Sequence, residues 1–174
     1  PANKCFDREC LPNAARWREQ RRADRDLWNK AGAAGLLCAS IPEEYGGGGG
    51  DFRHEVVLTQ SHAYKMAGGF SNSVHSAIVA HYILRYATEW QKKKWLPKMA
   101  SGEMVAAIAM TEPGAGTDLQ AIRTTAKKDG DHYVINGAKT FITNGFHANL
   151  VCIVARTGAE QGGKGISLIV AEVD

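Results

Sequence analysis

A chain of 174 residues, 44% hydrophobic and 22% charged, has room for one ordinary domain or two small ones and the balance of a soluble globular protein. The net charge of +3 is small but unevenly placed, its Arg and Lys clusters open to nucleic acid or an anionic membrane surface unless they are solvated helix faces, and no apolar run approaches the roughly 20 residues that cross a bilayer. The N-terminus is polar, unlike a signal peptide; it starts at Pro1 without a methionine, which suggests a processed or cut-down chain and leaves a removed targeting segment open.

The pattern changes near residue 103, and everything before it reads as helical. Between Asn13 and Gly35, Trp17, Leu27, Trp28 and Ala31 recur among Arg16, Arg18, Arg21, Arg22 and Arg25. Asp24 is a candidate cap for a second helix there, with Gly32 and Gly35 marking its end. Glu19, Asp24 and Asp26 interleave with the arginines, the pattern of a solvated helix face. Leu36-Leu37-Cys38 is apolar, and Ile41-Pro42 turns the chain. Five glycines, Gly46 to Gly50, lack the Gly-Lys-Ser/Thr of a phosphate loop and read as a mobile link.

A helix is expected from Arg53 to Met66, broken at Gly68-Gly69, and another capped by Ser71 or Ser73. The second is apolar on several sides, with Val74, Ala77 and Ile78 on one and Val79, Tyr82, Ile83 and Tyr86 on another, as in a buried bundle member. Thr88-Glu89-Trp90-Gln91 reads as a capping box opening a Lys-rich helix. Pro97 suits the start of one more turn, which Ser101-Gly102 ends. Cys5, Cys10, Cys38 and Cys152 lack zinc spacing, and His75 and His81 lie six apart, off the spacing that aligns helical ligands. No metal site is expected; the thiols read as buried or idle and the histidines as structural or surface groups.

Past Glu103 the periodicity turns β-like. Val105–Met110 is a short apolar run, and Ile122–Lys127 alternates in part. Lys128-Asp129-Gly130-Asp131 signals a hairpin into His132-Tyr133-Val134-Ile135, and Asn136-Gly137 signals another. Strands at Ala138–Thr143, Leu150–Arg156 and Ile166–Val173 complete an antiparallel meander. Helices first and strands afterwards make an α+β chain with segregated parts: an all-α helical bundle over 1–103, then an antiparallel β domain over 104–174. Such a small sheet, ending on an open edge at Asp174, looks truncated.

The segment most suggestive of chemistry is Ala106 to Asp118, an apolar run leading into Thr111-Glu112-Pro113-Gly114-Ala115-Gly116-Thr117-Asp118. Glycines there permit close approach of a ligand and positive φ angles that aim N–H groups at one point, and Thr117 adds a hydroxyl, so a phosphate-bearing guest is implied. Glu112 and Pro113 read as turn-shaping residues, the acid bonding neighbouring N–H groups. Lys139-Thr140-Phe141-Ile142-Thr143-Asn144-Gly145 offers an aromatic, a hydroxyl and a turn.

Met110–Asp118, together with Asn136-Gly137-Ala138-Lys139 and Phe141–Gly145, resembles the flavin-binding segments of the acyl-CoA dehydrogenases. Leu36–Gly47, with Ile41-Pro42-Glu43-Glu44-Tyr45-Gly46-Gly47, and Leu96–Glu103 are also similar to the family, whose long-chain branch looks nearest. The resemblance implies a β domain that normally continues and is followed by a C-terminal helical domain. It implies FAD held along Ile108, Met110, Thr111, Gly116, Thr117, Phe141, Ile142 and Thr143. Backbone near Met110 and Thr111 would meet the pyrimidine side, Gly116 and Thr117 the pyrophosphate, Phe141 the isoalloxazine ring, and Thr143 its reactive nitrogen. Thr117, standing where serine is commoner, would also touch the CoA thioester. Phe141, where many relatives carry tryptophan, keeps the aromatic face without the indole N–H.

The implied reaction is α,β-dehydrogenation of acyl-CoA thioesters in fatty acid β-oxidation. Its base is a glutamate of the family's C-terminal half, so no catalytic residue is assigned in this chain. Gly68-Gly69-Phe70-Ser71 is a candidate far end of the acyl tail or, equally, a plain turn between helices. Electron-transfer flavoprotein is the implied electron acceptor, a dimer or tetramer the implied assembly, and the cytoplasm, or the mitochondrial matrix in a eukaryote, the implied location. Two other readings use the same fold: an oxygen-using flavoenzyme such as an acyl-CoA oxidase, and a non-catalytic module binding CoA, lipid or a partner protein.

Overall fold

The computed structural model describes residues 2–65, 69–160 and 162–173. The chain forms two compact units, Pro1–Ala106 and Ala107–Asp174. The first is helical: α1 (Ala2–Cys5), α2 (Ala14–Gln20), α3 (Asp26–Ala33), α4 (Phe52–Tyr64), α5 (Ala80–Tyr86) and α6 (Glu89–Ser101). π-helical turns extend α1 through Phe6–Cys10 and precede α5 over Ser73–Val79. The helix containing α5 opens at Asn72, right after Ser71.

Its core gathers Phe6, Trp17, Leu27, Trp28, Leu36, Phe70 and Val105, and Trp28 meets Phe70 edge-on at 4.8 Å. Phe70 therefore fills packing space within this unit; Met66 to Gly68, and with them the expected break at Gly68, lie outside the described residues. Gly32 and Gly102 let α3 and the end of α6 touch. A Cβ on Gly32 would lie 2.1 Å from the Ser101 oxygen, and one on Gly102, at φ 80°, 2.2 Å from that of Trp28. His75 sits at the centre of the helical unit. Its Nδ1 accepts the Ala106 N–H at 3.0 Å, so Nε2 carries the proton and donates to the Met99 carbonyl at 3.0 Å. Burial holds this imidazole down to about 4, uncharged at neutral pH.

Three local expectations are corrected in this unit. Asp24 caps no helix: α3 follows Arg25 without a side-chain cap, and the Asp24 carboxylate is taken by Arg16 and Gln20. Pro97 lies inside α6 rather than opening a turn, because the Thr88–Gln91 capping box already starts the helix and carries it to Ser101. The five-glycine stretch is a packed loop, not a mobile link. The N–H groups of Gly46 to Gly50 donate in turn to the carbonyls of Glu43, Pro42, Cys38, Ile41 and Ala39. A Cβ on Gly47 would fall 2.2 Å from the Ile41 oxygen, so the residue serves contact rather than freedom.

The second unit carries a sheet of β1 (Ala106–Ala109), β2 (Thr125–Asp129), β3 (His132–Asn136), β4 (Leu150–Arg156) and β5 (Ile166–Glu172). The order is β1-β4-β2-β3, with β5 paired to β4. Along β4, Leu150, Cys152 and Val154 alternate inward with period two. The β2–β3 and β4–β5 hairpins are antiparallel as expected, but β2 and β4 meet in parallel, Thr125 opposite Arg156, so the sheet is mixed and not a pure meander. The expected strand at Ala138–Thr143 is absent and Asn136-Gly137 makes no hairpin. Gly137 lies against Thr124, where a Cβ would meet Oγ1 at 2.3 Å, and the chain runs on irregularly to β4. All four cysteines are buried and free. Among the described residues no helix is long and apolar enough to cross a membrane, and no His/Cys/Asp/Glu group could hold a metal.

Candidate functional site

β1 ends at Ala109 and delivers Met110 onto a small cluster of Ala115, Ile122 and Val154. The next residues fold into a tight turn in which Glu112 and Ala115 exchange both backbone hydrogen bonds, at 2.8 and 3.1 Å. Neither Gly114 nor Gly116 has a positive φ, so the expected aiming of N–H groups by left-handed glycines is not how this loop is built. Their contribution is space: a Cβ on either would meet nothing within 4 Å. Asp118 closes the loop by accepting the Gln120 N–H.

Glu112 holds the loop from below. Its carboxylate, 8% exposed, accepts the Arg123 N–H at 2.7 Å, the Thr124 N–H at 2.9 Å and the Lys139 ammonium at 2.8 Å. Burial would raise its pKa, but the Lys139 ion pair and the surrounding hydrogen bonds outweigh burial and hold it at about 2. The Glu112 carboxylate therefore bonds no neighbouring N–H of its own turn, which the Glu112 and Ala115 backbones close, but ties the loop to Arg123, Thr124 and Lys139. Lys139 spends its other contact on the Met110 carbonyl, at 2.8 Å, and its side chain is only 11% exposed. Beside it the Thr140 N–H donates to the Thr111 carbonyl at 2.9 Å. Three bonds thus fasten segment 139–140 to segment 110–112.

That fastening sets the place of Phe141. Its ring is 92% exposed and its backbone sits at φ 54°, a conformation a phenylalanine rarely adopts without a reason elsewhere in the structure. Ile142 is half-buried, Thr143 exposed, and the Gly145 N–H returns to the Ile142 carbonyl at 3.0 Å, the turn expected at Asn144-Gly145. Of the other sequence-predicted residues, Ile108, Met110 and Thr111 are half-buried, and Gly116 and Thr117 are exposed. The structure joins Met110 and Thr111 to the Phe141 segment. It gives no hydrogen bond between Thr117 and Phe141–Thr143 among the described residues. There the hydroxyls of Thr111, Thr117 and Thr143 also have no partner within the chain.

A bare aromatic face, unengaged hydroxyls and an open glycine loop suit a flat heteroaromatic ligand bearing an anionic group. The donor set fits a flavin dinucleotide, which offers ring acceptors and a pyrophosphate. Nothing in the sequence pairs Lys139 with Glu112: they are 27 residues apart and neither belongs to a periodic pattern. The helical unit carries a separate cleft of about 650 Å³ beside α4, lined in part by Arg53, His54, Val57 and Leu58, and none of the predicted residues lines it.

Known proteins share this layout. Residues 2–103 match the model of the acyl-CoA dehydrogenase N-terminal domain and residues 107–174 that of the middle domain. Long-chain specific acyl-CoA dehydrogenase of Sus scrofa, a mitochondrial protein, is 45% identical over 171 residues, 97% of this chain and 40% of the relative. An acyl-CoA dehydrogenase from Geobacillus kaustophilus superposes with a TM-score of 0.94 at 44% identity, over 99% of this chain and 46% of its own. A glutaryl-CoA dehydrogenase from Mycobacterium smegmatis, solved in complex with FADH2, superposes with a TM-score of 0.88 at 28% identity, covering 99% and 44%. The chain thus spans about two fifths of the length of the curated relative it matches. With two adjoining family models covering nearly all of it, the chain belongs to the acyl-CoA dehydrogenases, a family of FAD-dependent oxidoreductases.

Proposed function

We propose that this chain supplies one wall of the flavin and thioester site of an enzyme that dehydrogenates acyl-CoA thioesters between their α and β carbons. The observation that carries the reading is the bare Phe141 ring, tied through Lys139 and Thr140 to the Met110–Glu112 segment. FAD, when bound, supplies the acceptor for the β-hydrogen, which leaves as hydride. The chain's own residues bind and orient. Phe141 offers its face to the ring system, with Ile108 and Ile142 as apolar neighbours. Backbone at Met110 and Thr111 meets the pyrimidine side. Gly116 leaves room for the pyrophosphate and Thr117 donates to it. The Thr143 hydroxyl would donate near the reactive ring nitrogen and help stabilise charge that develops as the flavin is reduced. Thr117 also reaches the substrate thioester.

No residue of the chain is assigned as the base that removes the α-proton. In this reading 1–103 is the helical domain, 104–174 an incomplete β domain, and a glutamate in a C-terminal helical domain of the full-length protein provides the base. Electron-transfer flavoprotein takes the electrons, and the full-length protein is a homo-oligomer. Its location is the mitochondrial matrix in a eukaryote, as for the Sus scrofa relative, and otherwise the cytoplasm. The test is anaerobic addition of saturated acyl-CoAs of increasing chain length to the purified full-length protein. Loss of the yellow flavin absorbance with formation of the 2-enoyl-CoA is expected. A colourless protein, or a yellow one that no acyl-CoA bleaches, overturns the reading.

A further inference from the structure

The peptide unit joining Met110 to Thr111 is engaged at one end only. Its oxygen accepts the Lys139 ammonium at 2.8 Å, in a site where that side chain is 11% exposed. Its N–H, on Thr111, has no acceptor among the described residues, although Thr111 is only half-exposed. The chain has no cis peptide bonds, so this N–H lies on the side of the peptide opposite the carbonyl and faces away from Lys139. A cation bonded to an amide oxygen draws density from the amide and makes its N–H a stronger donor, and the effect is largest where water is excluded. Glu112 holds the ammonium in place, and the Arg123 and Thr124 N–H groups hold Glu112.

We propose that Lys139 is a positioning residue that polarises the Met110–Thr111 peptide, so that the Thr111 N–H stabilises negative charge on the pyrimidine side of the bound flavin. The inference rests on the proposed function, in which this peptide meets FAD. Lys139 touches neither cofactor nor substrate. It acts through one amide, and its effect falls on the reduction potential of the flavin rather than on whether FAD binds.

The experiment compares the full-length protein with three variants, measuring flavin content and the midpoint potential by equilibration with a reference dye. Lys139→Met combined with Glu112→Gln removes both buried charges together, so no uncompensated carboxylate remains. It should keep FAD, yet the preference for the reduced over the oxidised cofactor should fall about tenfold, about 30 mV for a two-electron couple. Glu112→Gln alone keeps the Lys139 side chain, with the amide oxygen as its remaining acceptor beside the Met110 carbonyl, and should lower the potential by clearly less than the double variant. Lys139→Arg keeps a charged donor and should stay within about threefold of the wild type. Should the first double variant fail to fold, Lys139→Gln with Glu112→Gln retains a neutral donor and should show a smaller fall of the same sign. An unchanged potential in the folded double variant, or an equal fall in Glu112→Gln alone, overturns the proposal while leaving the FAD reading intact. A wild-type protein without flavin overturns both.

Discussion

Glu112 shows how one side chain can matter most by doing no chemistry. Its carboxyl, near 4.5 when free and about 2 in the fold, is worth about 3 kcal/mol to the β unit. Because the folded value is the lower one, that stability is complete above about pH 4.5 and is lost as pH falls toward 2. Glu112→Gln should cost about 3 kcal/mol at neutral pH, since it strands the Lys139 charge at a buried site, and should remove the β unit's share of the acid-side slope in urea titrations followed against pH. A slope between about pH 4.5 and 2 that is as steep in the variant as in the wild type would contradict this account. The sequence marked the Phe141 segment as special, but it did not show that the Glu112 carboxylate reaches past its own turn to Arg123, Thr124 and Lys139. It did not show that Phe141 sits outside any strand at φ 54°, because a run rich in β-formers offers no local sign that Gly137 has been pulled against Thr124. Nor did it show that Gly114 and Gly116 avoid positive φ, because a glycine permits that angle without requiring it.

At the scale of elements, the cap of α6 was legible, whereas the cap expected at Asp24 is given up to Arg16 and Gln20, and packing was not legible. The Thr88–Gln91 box opens α6 as its residues demand, whereas the equivalent box at α4, Asp51 with His54, is hard to see in the sequence because histidine replaces the usual Glu or Gln. Thr88→Ala should lower the stability of the helical unit by about 1 kcal/mol, read as a shift in denaturant midpoint at constant slope. The glycine run reads as a mobile link in the sequence because composition alone cannot tell a chain that needs freedom from one that needs contact. Gly47→Ala should destabilise the helical unit by more than about 2 kcal/mol, since its methyl would collide with the Ile41 backbone, whereas a mobile link would tolerate it within about 0.5 kcal/mol. His75 adds a second acid response. Its folded pKa of about 4 lies below its ordinary 6.5, so the stability it confers is complete above about pH 6.5 and declines as pH falls toward 4. The melting temperature of the helical unit should therefore begin to drop below pH 6.5, and His75→Gln should remove that drop.

At the scale of the whole molecule, the division into a helical and a β unit and the family of the chain were readable from sequence order and from a few motif residues. The parallel contact of β2 with β4 was not, because no turn signal encodes a pairing of Thr125 with Arg156 across the intervening β3 and the irregular stretch after it. The chain's span of two fifths of its relative bears on function. We expect the 174 residues by themselves to hold FAD weakly and to show no acyl-CoA-dependent reduction of an electron acceptor. Measurable turnover by the isolated chain would place the base within it, against the proposed division of labour between the chain and a C-terminal domain. The central claim, that the paired loops around Phe141 form a flavin wall, is tested most directly by FAD fluorescence in the full-length protein and its Phe141→Ala variant. Stacking on the ring should quench the bound flavin in the wild type, and the variant should fluoresce more and bind FAD about tenfold more weakly. Equal affinity and equal quenching in the two proteins would contradict the account.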